Sequence, residues 1–268
     1  MSYKVLEENN IKYISFDRLR EIPYIKHGFS TKIGGVSTGS YQQMNMGFKT
    51  GDKPENVIQN LRLFCDALKM NFEDLVISHQ IHSDEIMVVK DKGRGYMNNP
   101  LRGIDALITN EVRIPLMTYY ADCVPLFIVD PVEKAVGLAH AGWPGTVKKI
   151  GYKTIKKMIE IYGTKPEDII VVVGPSIGEC CYEVGEEVIE KFNRNFTNCQ
   201  SFVIPKGGGK YTLNLWEANR LSLKEIGVLD RNIIISGLCT GCNPSLLYSH
   251  RMEGPETGRM AAVIQLLY

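Results

Sequence analysis

The sequence predicts an α/β fold, and three observations support that prediction. Apolar runs rich in β-branched residues recur along the 268 residues, several of them are continuous rather than alternating, and amphipathic helical patterns lie between them. Continuous apolar runs are typical of strands that are covered on both faces. The chain is long enough to bury a substantial core and stays within the usual size of a domain, so we expect one domain over residues 1–268.

Six apolar runs are the predicted strands. They are IKYISF from Ile11, EIMVVK from Glu85, VPLFIVD from Val124, AVGLAH from Ala135, DIIVVVG from Asp168 and NIIISG from Asn232. Because only a short turn separates VPLFIVD from AVGLAH, we expect these two to form a hairpin.

Four segments between and after the strands are predicted helices. Residues 54–68 place Val57, Leu61 and Phe64 on one face, and Pro54 suits the first turn. A second apolar stripe covers residues 155–162 and ends at Gly163. Residues 215–227 and the C-terminal TGRMAAVIQLLY, residues 257–268, also suggest helices.

Composition excludes several partners and locations. The chain carries 31 Lys and Arg against 30 Asp and Glu, so it has no overall field that would attract nucleic acid or an anionic membrane. No run approaches the roughly 20 apolar residues that span a bilayer, and the N-terminus lacks the apolar run of a signal peptide. Seven cysteines, an odd number, suit a reducing compartment. We therefore predict a soluble cytoplasmic protein; its oligomeric state does not follow from the sequence.

Two histidines and one cysteine beside predicted strands form a candidate metal site. His82 lies in SHQIHSDEI, Cys123 precedes VPLFIVD and His140 ends AVGLAH. The predicted hairpin would bring Cys123 and His140 together. One thiolate and two imidazoles are a good donor set for zinc, and three protein ligands leave a fourth position open, as in catalytic sites. Copper accepts the same donors.

The residues alone leave other interpretations of this site open. A buried cysteine is more often a small core residue, and a histidine after a strand is more often hydrogen-bonded than metal-bound. Cys123 and His140 can also serve without a metal, as nucleophile and general base of a cysteine hydrolase.

The other paired cysteines carry weaker signals. Cys239-Thr-Gly-Cys242 is a CxxC motif without a second pair, which favours a plain buried turn over a zinc or redox site. Cys180 and Cys181 are adjacent in the chain, and we expect them to be poorly placed to chelate one ion together.

Glycine-rich segments indicate loops. Gly174-Pro175 and Gly178 predict a tight loop that leads into a helix near Val184, whose free N–H groups could hold an anion. KGGGK from Lys206 lacks the helix and the Ser or Thr of a phosphate-binding loop, and we expect an exposed hairpin or loop there.

Two arginines near the C-terminus flank a turn. Arg251 lies in SHRMEG, and we expect Arg259 in the first turn of the C-terminal helix, where a cation opposes the helix dipole. A surface salt bridge is the commoner compensation for such a cation, and a bound anion is the alternative.

Nine segments carry a resemblance to a known family. In chain order they are GFSTKIGGVSTGSYQQMNMGFKTGD from Gly28, HQIHSDEI from His79, DALIT from Asp105, ADCVPLFIVD from Ala121, GLAHAGWPG from Gly137, GPSIGECCYEVG from Gly174, LNLWEANR from Leu213, CTGC from Cys239 and SHRMEGPETGRMAAVI from Ser249. They resemble the YfiH-type family, first described as polyphenol oxidase or laccase-domain proteins and later assigned purine nucleoside phosphorylase activity. The resemblance covers nearly the whole chain.

The resemblance implies ligands, a fold and an activity. The metal ligands correspond to His82, Cys123 and His140, whereas His79 precedes the matching Gln80 and is a neighbour. The implied fold is an α/β/β/α arrangement of mixed sheets packed face to face with helices outside. The implied activity is phosphorolysis of adenosine, inosine and methylthioadenosine, so the partners would be a purine nucleoside and phosphate. Adenosine deamination and a weaker polyphenol oxidation are implied side activities.

Four positions depart from the family pattern. Pro144 and Lys32 stand where Arg is usual, Met252 replaces a second Arg, and Asn214 stands where Asp is usual. Because Lys offers a point charge instead of a bidentate fork, the departures weaken the expected phosphate site. Lys32, Arg251 and Arg259 remain the candidate phosphate ligands.

The working hypothesis is therefore a zinc-dependent purine nucleoside enzyme with Cys123 and His140 at its catalytic centre. In deamination, Asp122 or Glu183 would carry protons. One rival is a metal-free cysteine hydrolase that acts on cell-wall precursors. The other is a binding or editing partner whose metal is structural.

Overall fold

The computed structural model describes residues 2–95 and 101–268. Its strands are β1 (Tyr3–Glu8), β2 (Ile11–Phe16), β3 (Ile25–Ser30), β4 (Val76–His79), β5 (Ile86–Val88), β6 (Leu101–Arg102), β7 (Ala106–Thr109), β8 (Leu116–Tyr120), β9 (Val124–Asp130), β10 (Ala135–Ala141), β11 (Ile170–Val173), β12 (Glu183–Gly185), β13 (Val203–Gly207), β14 (Lys210–Leu213), β15 (Ile233–Ile235) and β16 (Met260–Leu266). Its α-helices are α1 (Asp17–Arg20), α2 (Pro54–Ala67), α3 (Trp143–Val147), α4 (Ile150–Tyr162), α5 (Glu186–Asn195), α6 (Leu215–Glu225) and α7 (His250–Glu253). Within these two ranges, every helix is too short or too polar to span a bilayer.

The strands form two large mixed sheets and one small sheet. The larger has the order β1-β2-β3-β16-β8-β4-β6, with β4 parallel to both of its neighbours. The second has the order β15-β11-β9-β10-β7-β5, antiparallel at its centre and parallel in its outermost pairs. The small antiparallel sheet has the order β12-β14-β13.

Residue alternation along β16 shows how the larger sheet is covered. Ala262 and Ile264 lie in the core between the two large sheets. Ala261 and Val263 point to the other face, where they pack in one cluster with the apolar side of α2. Since successive strand residues face opposite sides, one strand contributes to two cores.

The second large sheet divides its side chains in the same way. Phe127 and Val129 of β9 lie in the core between the sheets. Leu126 and Ile128 face the cluster formed with α3, α4, α5 and α6. The layers are therefore helix, sheet, sheet and helices, which confirms the predicted α/β/β/α arrangement.

Most of the predicted elements are present. All six predicted strands are found, as β2, β5, β9, β10, β11 and β15, and β9 and β10 form the expected antiparallel hairpin. Helix α2 begins at Pro54, and α4 ends at Gly163, whose φ of 75° is the left-handed conformation that glycine adopts readily. The KGGGK segment, residues 206–210, is the exposed tip of the hairpin formed by β13 and β14, with Gly208 and Gly209 in the turn.

The prediction of a C-terminal helix is wrong. Met260–Leu266 is strand β16, which pairs with β3 on one side and β8 on the other, and all seven of its residues are buried. Arg259 therefore precedes a strand instead of opening a helix. A short apolar run does not distinguish a strand from a buried helix by its periodicity, and here pairing with two neighbouring strands decided the structure.

The expected helix near Val184 begins slightly later than predicted. Val184 belongs to strand β12, and α5 starts at Glu186 with Gly185 as its N-cap. The carboxylate of Glu187 folds back against Gly185. The chain itself thus supplies negative charge at the helix end that we expected to hold an anion.

Candidate metal centre

The side chains of His82, Cys123 and His140 converge at one point. Their candidate ligand atoms all lie within 4.8 Å of one another, and His82 Nε2 is 3.6 Å from Cys123 Sγ. The centroids of the two imidazole rings are 4.9 Å apart, and the ring planes are inclined at 65°. The hairpin explains part of this arrangement, because His140 pairs with Pro125 and therefore ends beside Cys123.

His82 is presented by the loop that connects the two large sheets between β4 and β5. Its φ is 62°, which is uncommon for a residue with a side chain. The carboxylate of Asp105 fixes this conformation by accepting the backbone N–H groups of Ile81, His82 and Ser83 at 2.8–3.1 Å. The buried Asp105 carboxylate therefore holds the loop that carries His82.

Asp105 also orients the second histidine. His140 Nδ1 is 2.8 Å from Asp105 Oδ1, so the other ring nitrogen, Nε2, is left for the centre. Metal-binding histidines commonly share their second nitrogen with a carboxylate in this way. Burial raises the pKa of Asp105, but the hydrogen bond and charge of His140 outweigh it and lower the pKa to about 2.

The charges of Cys123 and His140 depend on each other. Burial opposes ionisation of the thiol, but the imidazoles of His140 and His82 outweigh burial and hold the Cys123 pKa below its usual value. Burial likewise opposes protonation of His140, and the Cys123 sulfur with Asp105 raises its pKa above the ordinary value. The site thus favours a thiolate, which is the form that binds a metal ion.

The turn that carries Cys123 is held by the preceding residue. Asp122 has a φ of 85°, and its carboxylate accepts hydrogen bonds from the hydroxyls of Thr240 and Ser249 and from the backbone N–H of Arg251. These bonds occupy the carboxylate that we considered as a proton carrier. Glu183, the other candidate, is exposed in β12.

Gly142 allows the three donors to approach one another. A Cβ at this position would lie 2.8 Å from His82 Cδ2 and 2.9 Å from Cys123 Sγ. The residue after the AHA of the AHAGW segment must therefore lack a side chain. The backbone conformation does not require glycine here, since the φ of Gly142 is an ordinary −59°. The need for glycine comes from the close approach of His82 and Cys123.

A cleft of about 640 Å³ opens beside the centre, and all three donors line it. This volume suits a small organic ligand. Its lining includes the apolar and aromatic side chains of Phe48, Pro54, Ile58 and Tyr119. The three donors are therefore reachable from a cleft large enough for a small ligand.

Of the three expected phosphate ligands, Arg259 lines the cleft, and its guanidinium donates to the carbonyls of Thr257 and Gly258. The other two have partners elsewhere. Lys32 lies 3.2 Å from Glu253 and over the ring of Tyr248. Arg251 lies over Tyr182 and donates to the carbonyl of Glu183. Neither is among the described residues that line the cleft, to which Lys49 and His250 contribute instead.

Four positions depart from the family pattern, and two of them, Asn214 and Pro144, have a local structural role. Asn214 caps α6 by accepting the N–H of Glu217, and it donates to Glu179. Pro144 lies in the first turn of α3, where its missing N–H does no harm. Met252 is an exposed residue of α7.

Sequence reasoning missed several residues of the site. Asp105 has a signal in the sequence, because an aspartate that immediately precedes a buried apolar strand indicates a structural or catalytic carboxylate. Lys49 and His250 carry no such local signal, because each is exposed and lies far along the chain from the donors.

Two interpretations of the other cysteines are also wrong. Cys239 and Cys242 do not form a plain buried turn, since Cys242 is exposed and both belong to a group of four with Cys180 and Cys181. The two adjacent cysteines both approach Cys242, at 3.4 and 3.5 Å between sulfur atoms. Both cysteines belong to the short 3-10 turn Glu179–Cys181.

Comparisons with known proteins agree with the fold. The family model described as multi-copper polyphenol oxidoreductase laccase matches residues 26–267. A Bacillus subtilis relative, named purine nucleoside phosphorylase YlmD, is 39% identical over 241 residues, which cover 88% of this chain and 87% of the relative.

Two crystal structures have nearly the same fold. The hypothetical protein YfiH of Bacillus licheniformis superposes with a TM-score of 0.93 at 34% identity, over 98% of each chain. YlmD of Geobacillus stearothermophilus gives a TM-score of 0.93 at 33% identity, over 100% of this chain and 99% of that one. These matches confirm the resemblance that the motifs indicated. The chain belongs to the multi-copper polyphenol oxidoreductase laccase family, whose members include the YfiH and YlmD proteins.

Proposed function

We propose that the chain is a zinc-dependent purine nucleoside phosphorylase acting on adenosine, inosine and methylthioadenosine. The observation that carries the proposal is the convergence of His82, Cys123 and His140 at the wall of a ligand-sized cleft. The names of relatives such as YlmD of Bacillus subtilis support the choice of reaction.

The donor set fits zinc. One thiolate and two imidazoles are common zinc ligands, and the carboxylate of Asp105 behind His140 completes a usual arrangement around such an ion. Held by these three side chains, the ion would supply Lewis acidity to a substrate oxygen. Copper binds the same donors, and metal analysis decides between the two.

Basic and apolar residues of the cleft would bind different parts of the substrates. Arg259 and Lys49 would hold the phosphate, because both are basic side chains that line the cleft. His79 contributes less charge, since burial and the nearby Lys49 lower its pKa. The purine would lie against the apolar lining, to which Phe48 and Tyr119 contribute.

In phosphorolysis a phosphate oxygen attacks the anomeric carbon of the ribose. The new carbon–oxygen bond replaces the glycosidic carbon–nitrogen bond, whose electrons leave with the purine, and the purine then takes up a proton. The protein's contribution is to position the two substrates and to neutralise phosphate charge with cations.

Several finer expectations stay predictions. Lys32 and Arg251 could assist phosphate only after leaving the partners described above. Adenosine deamination and polyphenol oxidation are further predictions from the family resemblance, and a cytoplasmic location is a prediction from the composition.

The decisive experiment measures base release from inosine with and without phosphate, using zinc-saturated protein. We expect hypoxanthine and ribose 1-phosphate in equal amounts, and loss of both products in Cys123→Ala. Arg259→Gln should raise the KM for phosphate, whereas Arg231→Gln, on the exposed surface before β15, should not. Zinc-loaded protein that releases no base in a phosphate-dependent manner would refute the proposal. Adenosine and catechol in the same assay test the side activities.

One observation favours a second candidate, a metal-free cysteine hydrolase. Asp105, His140 and Cys123 form a carboxylate–imidazole–thiol series, and the shifted pKa values of His140 and Cys123 favour the ion pair that such enzymes use. This candidate predicts that a chelator leaves activity unchanged and that a substrate protects Cys123 from alkylation. The phosphorylase proposal predicts loss of activity with the chelator and recovery with zinc.

A further inference from the structure

Four cysteines outside the centre form a second group of sulfur atoms, here called the four-thiol cluster: Cys180, Cys181, Cys239 and Cys242. The candidate ligand atoms all lie within 4.8 Å of one another. The cluster is assembled from two loops, one after β11 and one after β15. Since these two strands are parallel neighbours, their carboxyl ends meet at one edge of the sheet.

The sulfur separations fit a tetrahedral metal site. Around an ion with metal–sulfur bonds of about 2.3 Å, tetrahedral geometry places sulfur atoms about 3.8 Å apart. Cys242 Sγ lies 3.4 Å from Cys180 Sγ and 3.5 Å from Cys181 Sγ. A disulfide requires about 2.05 Å and joins sulfurs in pairs, which does not account for four thiols at one point.

The backbone around the four-thiol cluster donates a hydrogen bond to one sulfur atom and leaves space for two others. The N–H of Gly178 donates to Cys239 Sγ at 3.2 Å. A Cβ on Gly178 would lie 3.3 Å from Cys180 Sγ, and one on Gly241 would lie 3.0 Å from Cys181 Sγ. Glycines at both positions therefore let the two loops close around the thiols.

We propose that the four-thiol cluster is a structural zinc site. Four cysteine ligands fill the tetrahedral coordination of zinc and leave no position for a substrate, which distinguishes this site from the three-donor centre. Thiolates alone, without carboxylate or imidazole, select soft or borderline ions over magnesium or calcium.

The site would brace the turn that carries Cys123. The loop of Cys180 donates the N–H of Ile177 to the carbonyl of Asp122, and the loop of Cys239 supplies the hydroxyl of Thr240 to the Asp122 carboxylate. Joining the two loops through one ion would hold both donors in place. This role depends neither on the reaction nor on an ion at the first centre.

Metal content tests the proposal. Protein reconstituted with zinc under reducing conditions should contain two equivalents per chain. We expect one equivalent in Cys180→Ser/Cys242→Ser, whose replaced residues are both exposed, and one in His82→Ala/Cys123→Ala. Cys199→Ser, which replaces a cysteine outside both groups, should retain two.

Cobalt substitution gives a test that leaves every cluster thiol in place. In His82→Ala/Cys123→Ala, bound cobalt should show the intense ligand-field bands of a tetrahedral ion and strong sulfur-to-cobalt charge transfer. The zinc assignment is overturned if that variant binds no zinc or cobalt, or if it binds copper(I) alone. It is also overturned if the variant as purified, denatured without reductant, has an intact mass lower by two hydrogens for each disulfide formed.

Discussion

Asp105 links the separate parts of the metal centre through one carboxylate. It accepts three consecutive backbone N–H groups of the His82 loop and the hydroxyl of Ser83, and it is hydrogen-bonded to the ring of His140. A buried carboxylate is tolerated only when such donors replace the lost water. The geometry of two ligands therefore depends on a residue that is not a ligand.

Replacing Asp105 with Asn should weaken metal binding at the centre by roughly 10- to 100-fold, because the amide presents one acceptor oxygen in place of two and carries no charge. Competition with a chromophoric chelator measures this affinity, in a Cys180→Ser/Cys242→Ser background that isolates the first centre. Asp130→Asn is the matched control, since Asp130 is equally buried at the far end of β9 and accepts N–H groups of its own turn. Equal affinities in the two variants would show that Asp105 does not position the ligands.

At the scale of elements, strand β3 shows how burial on both faces of a sheet constrains a titratable side chain. His27 of β3 is 5% exposed, its Nε2 accepts the N–H of Phe16, and its ring stacks on Phe16 at 5.7 Å between centroids. Burial, with a smaller contribution from Arg20, lowers the pKa of His27 from 6.5 to about 3. The folded protein therefore keeps this imidazole neutral well below neutral pH.

The pKa of His27 predicts a loss of stability in mild acid. Above pH 6.5 the side chain is neutral in both states, but between pH 6.5 and about 3 the unfolded chain takes up a proton that the folded chain excludes. The loss should reach about 2 kcal/mol at about pH 5. Urea unfolding across this range measures it.

Comparison with variants isolates the contribution of His27. His27→Gln, which keeps an acceptor for Phe16, should have a flatter pH dependence than the wild type. His250→Gln, which removes an exposed histidine, should retain the wild-type slope. Parallel curves for the wild type and His27→Gln would mean that the imidazole is protonated in the folded state.

At the scale of the whole molecule, the sandwich brings distant loops to one place. His82 lies in the connection from β4 of the larger sheet to β5 of the second sheet. Cys123 lies in another connection between the same two sheets, from β8 to β9. His140 ends a strand of the second sheet. An ion at the centre would therefore connect segments that meet only in the folded chain.

Zinc should stabilise the folded chain through this centre. At a free concentration 100 times the dissociation constant, the gain is about 2.7 kcal/mol. Thermal unfolding of Cys180→Ser/Cys242→Ser with and without zinc measures the effect. Adding Cys123→Ala should abolish the response to zinc while circular dichroism stays native, as expected for a catalytic ion. If Cys123→Ala instead unfolds the chain, the ion is structural.

Local sequence patterns determined much of the fold and part of the site. The apolar faces of α2 and α4, Pro54, Gly163 and the β9–β10 hairpin follow from spacing and turn residues, and the hairpin alone brings Cys123 to His140. These features depend on neighbours within one element or one turn, where periodicity and backbone preference act directly.

Only the tertiary structure decided the rest. It made residues 260–266 a central strand, placed Asp105 beneath two ligands, brought His82 to the hairpin and gathered Cys180 and Cys181 with a CxxC motif some 60 residues away. Each outcome depends on which strands pair and which loops meet at a sheet edge. That choice is set by burial summed over the whole sandwich, which no single segment of sequence contains.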